Sequence, residues 1–197
     1  LAHGAGNLAT SLHDDDIDFA VWCSYKYLNS GPGGIAGCFV HEKHHKTCDV
    51  SQFKAMPRFE GWWGHNKTDR FKMGPDFNPI SSVEAWQLSN PPIFQLAALR
   101  ASLEIFDEIG IKKARVRGDQ LTDYFETLLK ENLAQNVSVV TPKSRGSMLC
   151  LKVNSKPHEF KDFLIKNNAI VDFREPNIIR ATPTALYNSY TDIFKSV

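Results

Sequence analysis

Apolar positions along the chain follow two different grammars. Over the first hundred residues they come as short runs broken by turns. "IDFAVWC" (17–23) is apolar and rich in β-formers, and it predicts a buried strand. "GIAGCFVH" (34–41) predicts a second strand, and "NSGPGG" before it reads as a glycine-rich turn. Residues 42–90 show no period. Trp62, Trp63, Phe71 and Trp86 are scattered there through polar text, as expected of a loop that covers a site or an interface.

From residue 90 the spacing becomes helical. "NPPIFQLAALRASLEIFDEIG" (90–110) predicts a helix with Asn90 as its cap, prolines in the first turn and Gly110 as its stop. A second helix over 111–133 places Leu121, Phe125, Leu128 and Leu129 on one face. Beyond it, strands are expected at 137–141, 147–153, 169–175 and 177–183, with an amphipathic helix over 157–168. This alternation predicts a small α+β domain attached by the long helix. The expected division is 1–105 and 106–197.

Composition changes this picture little. The 197 residues are 42% hydrophobic and 23% charged, ordinary for a globular protein. A net charge of +1 gives no reason to expect a nucleic-acid partner. No apolar run approaches the length that spans a bilayer, so no membrane partner is expected either. Nor does the chain open on a secretion signal. The opening "LAHGAGN" and the closing "YTDIFKSV" read as a segment cut from a longer chain at both ends. Cys23, Cys38, Cys48 and Cys150 form no CxxC pair. They are expected to be buried free thiols of a reducing, cytoplasmic compartment.

"HEKHH" (41–45) matches the HExxH pattern through His41, Glu42 and His45. On a helix, two histidines four apart would share a face and could hold zinc. The match falls at the end of an expected strand, and no HExxHxxGxxH continuation supplies a third ligand. A turn following a strand is the better reading, and no metal is expected.

The chemistry concentrates in "WCSYKYLNSGPGG" (22–34). A lysine that condenses with a carbonyl must be held rigidly, with its amine desolvated or beside a cation. The end of a buried strand offers such a position to Lys26. Tyr25 is a neighbouring proton donor and acceptor. The glycines allow close approach of backbone to a bulky ligand. From these residues alone, an exposed loop lysine remains the alternative.

The segment resembles the lysine region of fold-type-I pyridoxal-phosphate enzymes of the aminotransferase class V superfamily. More narrowly, "LAH", "DFAVWCSYKYLN", "GWWGH", "RFKM", "SNPPI", "ASLEIF" and "IRATPTALYNS", in this order, resemble the kynureninase family. The resemblance implies an α/β fold. It would comprise part of a large domain with a mixed, mostly parallel sheet and a C-terminal α+β small domain. The implied cofactor is pyridoxal 5'-phosphate. The implied reaction is hydrolytic Cβ–Cγ cleavage of L-kynurenine or 3-hydroxykynurenine, in a homodimer with sites at its interface.

By the same resemblance, Lys26 holds the cofactor covalently, and Tyr25 contacts its phosphate and transfers protons. His3, Trp62 and Asn90 help bind the cofactor. Ser89, Asn90 and Trp63 lie where the substrate ring is recognised, Trp63 standing where the family often has phenylalanine. Arg180 clamps the substrate carboxylate, which suits a guanidinium fork. The family's acidic partner of the pyridine nitrogen and its phosphate loop precede "LAH", outside this sequence. The resemblance therefore implies that residues 1–197 alone are inactive. Two rivals stay open: another class V reaction, by a cysteine desulfurase or an aminotransferase, and an inactive binding module.

Overall fold

A computed structural model describes residues 1–45 and 58–197. Cys48 lies outside the described residues. The chain divides into two compact units, one of residues 1–5 and 10–104 and the other of residues 6–9 and 105–197.

In the first unit, β1 (Phe19–Trp22) pairs antiparallel with β2 (Gly37–Val40), Phe19 opposite Val40 and Trp22 opposite Gly37. Both strands are shorter than expected, and β1 is not buried: Val21 is 69% exposed. Side chains alternate across a strand, and a described sheet of two strands covers only part of what they present. Cys38 on β2 is exposed, while Cys23 and Cys150 are half-buried. All three thiols are free, as expected, but none is buried. Between β2 and residue 90 the chain makes short 3₁₀ turns at Glu42–His44, Trp62–Gly64, Arg70–Lys72 and Val83–Trp86.

Helix α1 covers Ile93–Ile109. It starts after the expected Asn90 cap because a residue preceding proline is driven out of the helical region. The Pro92 carbonyl takes the first bond, from the Leu96 amide at 3.1 Å. Gly110, at φ 76°, ends α1 and opens α2 (Ile111–Asn132). A side chain would strain that left-handed position.

The second unit carries a four-stranded antiparallel sheet in the order β3-β4-β6-β5. The strands are β3 (Val137–Val139), β4 (Leu149–Val153), β5 (Asp172–Arg174) and β6 (Ile178–Ala181). Helix α3 (Pro157–Lys166) joins β4 to β5, and α4 (Tyr190–Lys195) follows β6. Leu121, Phe125 and Leu129 recur along one face of α2 and pack on Leu149, Leu151, Val153 and Ile179. Ile193 of α4 closes the cluster. Every strand pair among the described residues is antiparallel. The mostly parallel character implied by the resemblance is thus not carried by these strands.

Candidate active site

Lys26 stands in the loop that joins β1 to β2. Two buried serines close that loop at its neck. The Ser30 amide donates to the Ser24 carbonyl at 3.1 Å, and the two hydroxyls meet at 2.7 Å. The Ser24 hydroxyl donates onward to the Ile35 carbonyl. From α1, the Ser102 hydroxyl donates to the carbonyl of buried Leu28. Gly34 has no room for a side chain, since a Cβ there would lie 1.9 Å from the Ser30 Oγ. Backbone and hydroxyl bonds therefore fix this loop alongside the burial of Leu28. Lys26 is half-buried within it, and its ammonium has no ion pair or hydrogen bond among the described residues.

Tyr25 is 52% exposed. A hydrogen bond with the Cys23 side chain, two residues back, holds its phenol above the ordinary value, aided by electrostatic repulsion from the same side chain and by burial. His3 is exposed and meets the Tyr27 ring edge-on, the centroids 6.0 Å apart. The structure thus brings His3 to the residue that follows Lys26.

The "GWWGH" turn is shaped by its two glycines. A Cβ on Gly61 would lie 2.3 Å from the Leu88 Cα, and one on Gly64 would lie 2.6 Å from the Ala85 carbonyl oxygen. The Trp63 amide donates to the Leu88 carbonyl at 3.4 Å. This close backbone approach sets Trp62 and Trp63 beside the segment that carries Ser89 and Asn90, both exposed. Arg70 braces the turn from behind. Its Nη2 donates to the carbonyls of Trp63 (2.8 Å) and His65 (3.1 Å), and its guanidinium lies 5.0 Å from the Trp63 ring.

Arg180 belongs to the second unit, on β6 directly opposite Asp172 of β5. Its Nε and Nη2 fork onto the Asp172 carboxylate. Burial pushes that carboxyl up, but hydrogen bonds and charge from Arg180 and Arg174 outweigh it and hold the group below its ordinary value. The arginine offered to a substrate carboxylate is therefore already engaged by one on the protein. A cleft of about 450 Å³ opens on this unit's core between Phe160, Leu164, Ile170 and Ile193, and none of the candidate residues lines it.

The HExxH segment is a single 3₁₀ turn after β2, so His41 and His45 do not share an α-helical face. His41 is buried, stacked on His13 with centroids 4.7 Å apart, and its Nδ1 accepts from the Lys43 amide. The expected turn after a strand is thus present, with His41 at its start buried and Glu42 and Lys43 exposed.

Ser24, Ser30, Ser102 and Arg70 escaped the sequence reading. The serines bracketing "SYKYLNS" were visible, but only the hairpin geometry shows that they face each other. Ser102 and Arg70 carry no local signal.

Comparison with known proteins places this geometry in a class first. A C-DES mutant with glycine covalently linked to its PLP cofactor superposes with a TM-score of 0.74 at 16% identity, over 98% of this chain and 48% of that one. The apo cysteine desulfurase of Thermococcus onnurineus superposes equally, at 0.74 and 18% identity, over 98% and 48%. The fold is that of fold-type-I PLP-dependent enzymes.

The sequence then narrows the class. Residues 114–197 match the family described as kynureninase C-terminal domain. The whole chain is 54% identical over 200 residues to the kynureninase of Myxococcus xanthus, covering 46% of it. It is 49% identical over 199 residues to that of Koribacter versatilis, again covering 46%. The resemblance to kynureninase read from the motifs therefore holds along the entire chain, which spans about half the length of the curated relatives it matches.

Proposed function

We propose that the whole protein is a pyridoxal-phosphate-dependent hydrolase of the kynureninase type. It would cleave the Cβ–Cγ bond of L-kynurenine or 3-hydroxykynurenine, in tryptophan catabolism, releasing alanine and an anthranilate. The observation that carries this reading is the half-buried Lys26 amine, free of protein partners among the described residues and fixed by the Ser24–Ser30 closure. The donor set fits the cofactor. An amine that no carboxylate neutralises can take an aldehyde, and the phenol of Tyr25 beside it in sequence and the imidazole of His3 against Tyr27 suit a phosphate and an aromatic ring.

When bound, pyridoxal 5'-phosphate supplies the electron sink for a carbanion beside the substrate's amino group. Lys26 would hold the cofactor until the substrate's amine takes its place; the freed lysine amine would then take the proton from the substrate Cα and later give one back. Water adds to the γ-carbonyl carbon, and the Cβ–Cγ bond breaks toward Cβ. Tyr25 would donate the proton that Cβ then needs. Arg180 would bind the substrate carboxylate, in exchange for or alongside Asp172. His3, Trp62 and Asn90 help hold the cofactor, and Ser89, Asn90 and Trp63 border the substrate ring. A homodimer with sites at its interface and a cytoplasmic location complete the proposal.

Residues 1–197 alone, about half the relatives' length, are proposed to be inactive. A desulfurase would need a cysteine on a mobile loop, and Cys150 lies within β4. Anthranilate fluorescence after adding L-kynurenine to the full-length, cofactor-loaded protein tests the reading, with 3-hydroxykynurenine run in parallel. Release of an anthranilate supports it. No product from cofactor-loaded protein overturns it.

A further inference from the structure

One polar cluster in the second unit serves no step of the proposed reaction. Residues 6–9 belong to that unit although the chain on both sides of them belongs to the first. Asn7 is the residue that holds them there. It is 7% exposed, and Ser147 beside it is 4% exposed. The Asn7 Oδ1 accepts from the Ser147 amide at 3.2 Å, the Ser147 hydroxyl at 3.0 Å and the Arg115 Nη1 at 3.1 Å. The same Nη1 also reaches the Asn7 backbone carbonyl at 3.3 Å. Arg115 is itself fixed by Asp119, one turn along α2.

Two glycines make room for this cluster. A Cβ on Gly146 would lie 2.2 Å from the Asn7 Nδ2, and one on Gly118 would lie 2.9 Å from the Ser147 Oγ. Buried donors that lose their acceptor keep their desolvation cost, so the cluster resists partial opening. His3 stands four residues upstream of Asn7, against Tyr27 in the lysine loop.

We propose that Asn7 is a positioning residue: a buried amide rivet that fastens residues 6–9 to α2 and the start of β4, and through the short tether to His3 sets how firmly the cofactor is gripped. The tether to His3 rests on the functional reading above; the rivet itself does not. It makes the His3 segment depend on the second unit being folded, without Asn7 touching the cofactor.

The test is amide hydrogen exchange on the full-length protein, alongside pyridoxal phosphate titration. In Asn7→Ala, amides of residues 4–7 exchange about tenfold faster, the effect of one buried acceptor lost. The amides of β4 and α2 keep their protection. Gly146→Ala, which crowds the rivet with Asn7 intact, reproduces this pattern. Asn7→Asp keeps the acceptor facing Arg115 and returns exchange to within about twofold of wild type. The half-saturating cofactor concentration rises several-fold in the first two variants and not in the third.

Unchanged exchange at residues 4–7, or equal acceleration throughout β4 and α2, overturns the rivet. Accelerated exchange with unchanged cofactor affinity overturns its tether to His3. A wild-type protein that takes up no cofactor would sink the functional reading, and the exchange result would still decide the rivet.

Discussion

The two units reach order by different means. The second buries Leu121, Leu149 and Ile179 completely, in one continuous cluster between α2 and a four-stranded sheet. Among its described residues the first has a two-stranded sheet, and Val21, Phe59, Phe71, Ile93 and Phe94 stand well exposed. Beside a smaller buried set of Leu28, Val40, Phe77 and Ala85, its order draws on serine hydroxyls, glycines pressed on backbone, and an arginine braced against carbonyls. The difference teaches that apolar burial supports the second unit, whereas the proposed chemistry lies on a loop held by directional bonds. Such bonds fix atoms closely and contribute little net stability each.

That contrast can be broken at several points. Lys26→Ala in the full-length protein should lower turnover by at least about a thousandfold and abolish covalent cofactor capture. Anthranilate fluorescence and the cofactor absorbance band report it, and normal turnover would remove Lys26 from the chemistry. Arg180→Ala should raise KM by roughly tenfold to a hundredfold while cofactor is retained. Loss of cofactor with unchanged KM would mean its role is misread.

Core truncation tests the packing half of the comparison. Leu149→Ala should destabilise the second unit by about 2–5 kcal/mol, whereas Val21→Ala, at an exposed position, should change stability by about 0.5 kcal/mol or less. Similar losses in denaturant melts of the two variants would erase the distinction. Ser24→Ala should cost about 1–3 kcal/mol by leaving the partners of Ser24 unsatisfied, and should speed proteolysis within residues 23–36.

The smallest effect is electrostatic. Hydrogen bonds from Lys130 and Arg145, with their charges, hold the Glu126 carboxyl below its ordinary value against the opposing effect of burial. The folded state therefore binds fewer protons than the unfolded state over this range. The contribution is present above the ordinary value of 4.5 and fades as pH falls through the lower folded value. Glu126→Gln should flatten stability against pH below about 4.5, by about 1 kcal/mol or less. An unaltered profile would show that the pair contributes nothing.

Much of this was legible beforehand, and the exceptions share a cause. The period of α2, the places of the second unit's four strands along the chain and the stop at Gly110 follow from local pattern. So does the grouping of Tyr25 with Lys26, which are adjacent in sequence. The resemblance gave His3 a cofactor role, but its position beside Tyr27 had no sequence signal, because 24 residues separate them. The Ser102 bond to Leu28 and the engagement of Arg180 by Asp172 had no sequence signal, since both depend on long-range register. The Asn90 cap is not used because the two prolines that follow it move the helix start to Ile93.

The placement of the indole side chains has a practical consequence. All four tryptophans, Trp22, Trp62, Trp63 and Trp86, lie in the first unit. Intrinsic emission excited at the red edge therefore watches that unit alone, while much of the helical dichroism arises from α2, α3 and α4 of the other. One denaturant titration read through both optical channels contains two separate stories. Superimposed curves would report a single cooperative molecule, and displaced midpoints would report two that melt on their own terms.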